Sequence, residues 1–88
     1  MNIVYTKQFK KDCKRKKKQN KNLGELWKIV GKLMRGEKLP AKCRDHSLHG
    51  RWKNYRDCHI QSDWLVIYRI HDDDLILIRT GSHSELFS

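Results

Sequence analysis

The stretch from Asp63 to Thr80, DWLVIYRIHDDDLILIRT, decides the fold. Two apolar runs, Trp64 to Tyr68 and Leu75 to Ile78, are separated by the polar tetrad His71-Asp72-Asp73-Asp74. β-branched and aromatic residues bounded by turn formers read as two strands, about Asp63 to Ile70 and Leu75 to Thr80, joined by a polar hairpin. Both runs are far shorter than the roughly 20 apolar residues that a membrane-spanning helix needs. Upstream, Trp52 to Ile60 reads as a third strand, with Gln61-Ser62 as a tight turn into the next.

Before Pro40 the periodicity is helical. Asn2 to Tyr5 reads as a short strand and Thr6 as an N-cap, so a first helix is expected from Lys7 to about Lys18. Its apolar stripe is thin, Phe9 and Cys13. Asn22, with Glu25 three residues on, opens a second helix in capping-box fashion. Leu23, Leu26, Trp27, Val30, Leu33 and Met34 line one face of it. Gly36 stops it and Pro40 blocks a restart. A short link implies an antiparallel helical hairpin. The expected fold is α+β, a single 88-residue domain ordered β-α-α-β-β-β, with a curved, mainly antiparallel sheet and the helical hairpin on one face. After Gly81 a short turn or helical tail is expected.

Charge divides the chain. Residues 1–44 carry fifteen Lys plus Arg against three acids, a net of +12; residues 45–88 carry five against seven, a net of −2. Twelve excess charges in one half point to a polyanion, because each neutralised phosphate releases counterions. A solvated, lysine-rich helix kept for solubility is the plainer alternative. Cys13, Cys43 and Cys58 are odd in number and form no CxxC, so free thiols are expected rather than a zinc site or disulfides. Met1 runs through Ile3, Val4 and Tyr5 into a lysine cluster, unlike a signal peptide, and a cytoplasmic location is expected.

His46, His49, His59 and His83 lie in the half that has lost its positive charge. A two-residue turn would bring His59 beside Asp63, and a His next to a carboxylate suits proton transfer near neutral pH. Arg79 and His83, at the end of the last strand, suit phosphate binding and protonation of a leaving oxygen. Each has a plainer reading. The His–Asp pair is often only structural, Arg79 could pair with the Asp72–Asp74 turn, and Trp52, Trp64 and Tyr68 suit a core. Zinc on His46, His59 and His83 lacks any HxxxH or HExxH spacing.

Three motifs in order change this balance: DHSLHGRWKNYRDCH from Asp45 to His59, DWLVIY from Asp63 to Tyr68, and RTGSHSELF from Arg79 to Phe87. Together they closely resemble the YafQ branch of the RelE-like bacterial toxins, whose pattern is DHxLxGxWxxYRDxH, DWxxxY and RTGxHxxLF. The resemblance implies the toxin of a type II toxin–antitoxin pair, an endoribonuclease that enters the ribosomal A site and cuts mRNA. The functional positions it carries over are His46, His59, Asp63, Trp64, Arg79, His83 and Phe87. It further implies metal-free chemistry without a cofactor. The 2′-hydroxyl attacks, the base lies among His46, His59 and Asp63, Arg79 stabilises phosphoryl charge, and His83 protonates the leaving 5′-oxygen. Phe87, with Trp64, would stack on an mRNA base. Lys7, Lys10, Lys11, Lys14, Arg15, Lys16, Lys17 and Lys18 would grip ribosomal RNA. The implied partners are mRNA, the ribosome and an acidic, ribbon-helix-helix-like antitoxin. Two rivals remain at this level: a plain RNA-binding module, and the gyrase-poisoning toxins that share the scaffold but lack the catalytic histidines.

Overall fold

A computed structural model describes residues 1–87. The first strand, β1 (Asn2–Tyr5), leads into α1 (Lys7–Lys18) and α2 (Leu23–Met34), both at the positions the periodicity predicts. Thr6 caps α1 by accepting from the Phe9 backbone N–H at 2.9 Å, and Asn22 caps α2 through the Gly24 N–H at 2.9 Å. Both helices end on a left-handed residue, Asn20 at φ 61° and Gly36 at φ 70°. The following N–H reaches back five residues in each case, Lys21 to the Lys16 carbonyl and Glu37 to the Lys32 carbonyl.

The remaining strands are β2 (His46–Ser47), β3 (Arg56–Gln61), β4 (Trp64–His71) and β5 (Asp74–Gly81), followed by a short helix α3 (His83–Phe87). They form a five-stranded sheet in the order β1-β5-β4-β3-β2, in which only β1 and β5 run parallel. The sequence reading needs three corrections. The strand expected from Trp52 starts at Arg56, because Gly50–Trp52 forms a 3₁₀ turn and Gly50 and Asn54 adopt φ 66° and 78°, conformations that no strand accommodates. The hairpin turn is Ser62-Asp63 rather than Gln61-Ser62, since Gln61 pairs with Trp64. The two-residue β2 is too short to leave a periodic signal, and it adds a fifth strand to the expected four.

Two hydrophobic clusters sandwich the sheet. On the helix side Phe9, Leu26, Val30 and Leu33 pack against Trp64, Val66, Tyr68, Leu75 and Leu77. On the other side Leu65 and Ile67 pack under Leu86, Leu48, Trp52, Tyr55 and Ile78. The second cluster explains why Trp64 to Tyr68 reads as a continuous apolar run: both faces of β4 are covered. Cys13, Cys43 and Cys58 are free, and burial pushes Cys13 up to about 11 with help from the Asp12 charge, so the thiol is not a nucleophile.

Candidate active site

Alternation along β3 turns Cys58 into the helix-side core and Asp57 and His59 to the opposite face. Bulges, which bend a strand and re-aim its side chains, occur directly after His59, at Ile60, and directly before Arg79, at Ile78. On that opposite face the histidine rings and Phe87 form a line. The His59 and His83 ring centres lie 5.9 Å apart, His83 lies 5.6 Å from Phe87, and Phe87 lies 6.2 Å from Trp52.

His46 joins through β2, where it pairs with Asp57. The short strand is pinned by Asp45, whose carboxylate accepts from the Tyr68 hydroxyl at 2.5 Å and from Arg56 Nε at 3.2 Å. Arg56 Nη1 also donates to Ser47 Oγ at 2.9 Å. His46 Nδ1 lies 2.6 Å from the Arg44 carbonyl oxygen and 3.2 Å from Asp57 Oδ1. A carbonyl can only accept, so Nδ1 carries the proton and Nε2 of the neutral ring is left as a free base.

The residue that sequence reasoning passes over is Asp57. It is only 2% exposed, and its buried Oδ1 has no hydrogen-bond partner among the described residues: His46 Nδ1 lies 3.2 Å away, but its proton goes to the Arg44 carbonyl. Burial raises its pKa, while the charges of His46, His59 and His83 pull it back down. One carboxylate thus feels the charges of all three imidazoles. The signal lies in the RDxH part of the first motif, where Asp57 stands two residues before His59 on the same strand face.

Asp63 engages His83 rather than His59. Its Oδ1 accepts from the His83 backbone N–H at 3.1 Å and lies 3.8 Å from His83 Nδ1, and no ion pair joins it to His59 among the described residues. Because Asp63 occupies the turn and not the strand, its carboxylate swings toward the start of α3.

Arg79 is held by an acid, but by Asp12 of α1 and not by the Asp72–Asp74 turn. Nε and Nη2 donate to the Asp12 carboxylate at 2.8 and 3.2 Å. Nη1 makes no protein hydrogen bond among the described residues, which leaves one edge of the guanidinium for an anion. Gly81 permits the close packing behind it: a Cβ there would come within 2.9 Å of Glu85 Oε1.

Two expected contacts are corrected by burial. Trp64 is 0% exposed and donates its indole N–H to Thr80 Oγ1 at 2.8 Å, so it cannot stack on a base; it is a core strut. The accessible aromatic beside Phe87 is Trp52, and with Arg51 and Leu86 the pair lines a cleft of about 170 Å³. On α1, Lys7, Lys10, Lys11, Lys14, Lys17 and Lys18 are exposed, as a polyanion-binding face requires. Arg15 and Lys16 are not free. Arg15 lies 3.2 Å from Glu85 and 3.3 Å from Asp12, and Lys16, only 3% exposed, pairs with Glu85 at 2.9 Å. They tie α3, which carries His83 and Phe87, to α1.

Among the described residues no three His, Cys, Asp or Glu side chains are arranged to hold a metal ion. No helix is long and apolar enough to cross a membrane.

Known proteins share this arrangement. A curated relative, the mRNA interferase toxin YafQ of Escherichia coli K12, is 41% identical over 97% of this chain and 94% of its own. The solved E. coli DinJ–YafQ complex contains a chain that superposes with a TM-score of 0.91 at 40% identity, covering 99% of this chain and 98% of that one. A copper-bound mutant toxin from Helicobacter pylori superposes with a TM-score of 0.95 at 38% identity over 99% of each chain. The family model for YafQ, the bacterial toxin of type II toxin–antitoxin systems, matches residues 1–88, and with these relatives it shows that the chain belongs to the YafQ toxin family.

Proposed function

We propose that this toxin is an mRNA interferase that cuts mRNA in the ribosomal A site by metal-independent acid–base catalysis. One observation carries the reading. Two imidazoles, His59 two residues along β3 from the buried Asp57 and His83 beside Asp63, stand 5.9 Å apart next to the exposed ring of Phe87. An imidazole on each side of a bound phosphodiester supplies the acid and the base that its cleavage needs. The E. coli relative named an mRNA interferase supports the reaction class.

In the proposed reaction the substrate's 2′-hydroxyl oxygen attacks the adjacent phosphorus. His46 Nε2, the base left free by the Arg44 carbonyl, takes the hydroxyl proton, with His59 lining the same path. The new O2′–P bond forms as the P–O5′ bond breaks. His83, whose ring lies beside Asp63, gives a proton to the departing O5′. Arg79, braced by Asp12, offers Nη1 to the charge that builds on the non-bridging oxygens. Phe87 and Trp52 hold a base by stacking. The products are a 2′,3′-cyclic phosphate and a 5′-hydroxyl. The solved DinJ–YafQ complex supports an antitoxin partner, and the charge distribution favours an acidic one that folds onto the basic half. Work on mRNA at the ribosome implies a cytoplasmic site of action.

Mapping cut sites by primer extension after induction in cells tests the reading. Wild type gives discrete mRNA ends and growth arrest, and His83→Gln removes both, about a 10²–10⁴-fold loss of cleavage with circular dichroism unchanged. Equal toxicity of His83→Gln and wild type would refute the assignment. Cleavage on intact ribosomes persists in excess EDTA; loss of cleavage that copper or zinc alone restores would instead move the chemistry to a metal on the histidines.

A further inference from the structure

A cleft of about 530 Å³ opens between α2 and the end of β3, and of its lining residues only His59 and the Arg44 carbonyl have roles above. Glu25, Lys28, Ile29 and Lys32 form one wall, at the i, i+3, i+4, i+7 spacing of a single helix face. Lys42 and Arg44 stand on the opposite wall, and His59, Ile60, Gln61 and Ser62 close the end. Four cations therefore face one carboxylate, Glu25, inside a space of ligand-site size, about 300–1,000 Å³.

We propose that this cleft is the track for the phosphodiester backbone of the substrate RNA next to the scissile phosphate, with Lys28, Lys32, Lys42 and Arg44 as its phosphate contacts. The proposal rests on the ribonuclease reading and extends it from the reacting atoms to the strand that carries them. Continuity is the first argument. His59 belongs to both the cleft and the ring line, and the carbonyl of Arg44 orients His46, so a strand leaving the cleft arrives between the two imidazoles. Composition is the second. No aromatic ring of Phe, Tyr or Trp lines the cleft, so it has no stacking platform and holds phosphates without reading bases. The aromatic cleft of Trp52 and Phe87 lies at the other end of the ring line, beyond His83. Backbone is thus held on one side of the scissile bond and a base on the other, the two anchors that in-line attack demands.

An acidic peptide is the competing occupant, and it fits less well. Ile29, Pro40, Cys43 and Ile60 would serve its apolar side chains, but the four cations lead to the catalytic imidazoles, which a phosphodiester requires and a peptide does not.

The test measures binding of a short single-stranded RNA oligonucleotide to the uncleaving His83→Gln protein by fluorescence anisotropy over a salt series. Each lost phosphate contact lowers the slope of log K against log salt by about 0.7, so Lys28→Gln, Lys32→Gln, Lys42→Gln and Arg44→Gln together lower it by about 2–3. The matched control on α1, Lys7→Gln, Lys10→Gln, Lys14→Gln and Lys18→Gln, lowers it by less than about 1 and instead weakens ribosome association. Glu25→Gln, a change no misfolding mimics, tightens RNA binding about 2–5-fold by removing the one repulsive charge. Equal slope losses in the two lysine sets would reduce the effect to bulk charge and overturn the proposal. So would an unchanged slope in the cleft variant, or an oligoglutamate peptide that loses affinity there while RNA does not. Failure of wild type to cleave mRNA in cells would instead bring down the ribonuclease reading, while the slopes still report on the cleft.

Discussion

Asp12 and Asp57 are the same residue type at the same depth, 1% and 2% exposed, and they live in opposite ways. The carboxylate of Asp12 accepts from Gln8 Nε2, Arg15 Nη2, Arg79 Nε and Nη2, and the Thr80 backbone N–H. Asp57 leaves a buried oxygen without a hydrogen-bond partner among the described residues and has three imidazoles around it. A buried carboxylate that is fully satisfied fastens elements together, here α1 to β5 and through Arg15 toward α3. One left short of partners among titratable groups is held at a cost to the fold, and such groups concentrate where protons move. Apart from the basic cleft beside α2, the sheet's helix side is built for stability and its other side for chemistry, and these two aspartates mark the division.

The largest effect expected is on Asp12. Asp12→Ala leaves the Arg79 guanidinium without its counter-charge and orphans the Thr80 N–H, a loss of about 3–5 kcal/mol. At about 4–8 °C per kcal/mol for a domain of this size, thermal unfolding falls by well over 10 °C. Urea denaturation of the purified toxin checks it. A loss below about 1 kcal/mol would remove the contrast, because Asp12 would then be no more a fastener than a surface acid.

Asp57→Asn sharpens the contrast in the opposite direction. Neutralising a charge that the fold holds at a cost leaves stability unchanged or raises it by about 1 kcal/mol. Cleavage falls by about 10–100-fold, because the catalytic imidazoles lose the carboxylate charge beside them. Calorimetry and primer extension on the same preparation separate the two. If stability and cleavage fall together, Asp57 is a second fastener and the division between the faces disappears.

Much of this is legible in the residues. Capping signals and 3.6-residue spacing predict β1, α1 and α2 at their observed ends, because Thr6, Asn22 and Gly36 act locally. The motif histidines do converge on one face. What the sequence hides is what distance along the chain hides. The Asp12–Arg79 pair spans 67 residues, and no spacing rule reaches that far. By residue type Trp64 suits a core and only its motif position makes it a base platform; the helix-side cluster that buries it, invisible in the motif, returns it to the core. A turn placed one residue early pairs Asp63 with His59, and a one-residue slip is enough to redirect a side chain.

The smallest effect falls on the joint between the two faces. Glu85 sits on α3 beside His83, and its carboxyl is held at about 2 against an ordinary 4.5, chiefly by the Ser82 backbone N–H and then by Lys16. A lowered carboxyl pKa contributes stability that is complete above the unfolded value and is lost as the pH falls through the folded one. Stability therefore declines as the pH drops from about 4.5 toward 2, with Glu85 contributing about 1–2 kcal/mol after allowance for its partial exposure. Glu85→Gln has lost that contribution already at about pH 6, so its urea midpoint changes less across the same window. If the two midpoints run parallel from about pH 6 to about pH 3, α3 is anchored by Leu86 alone. In that case Lys16 and Arg15 return to the set of cations available to RNA, and the basic face of α1 gains both of their charges.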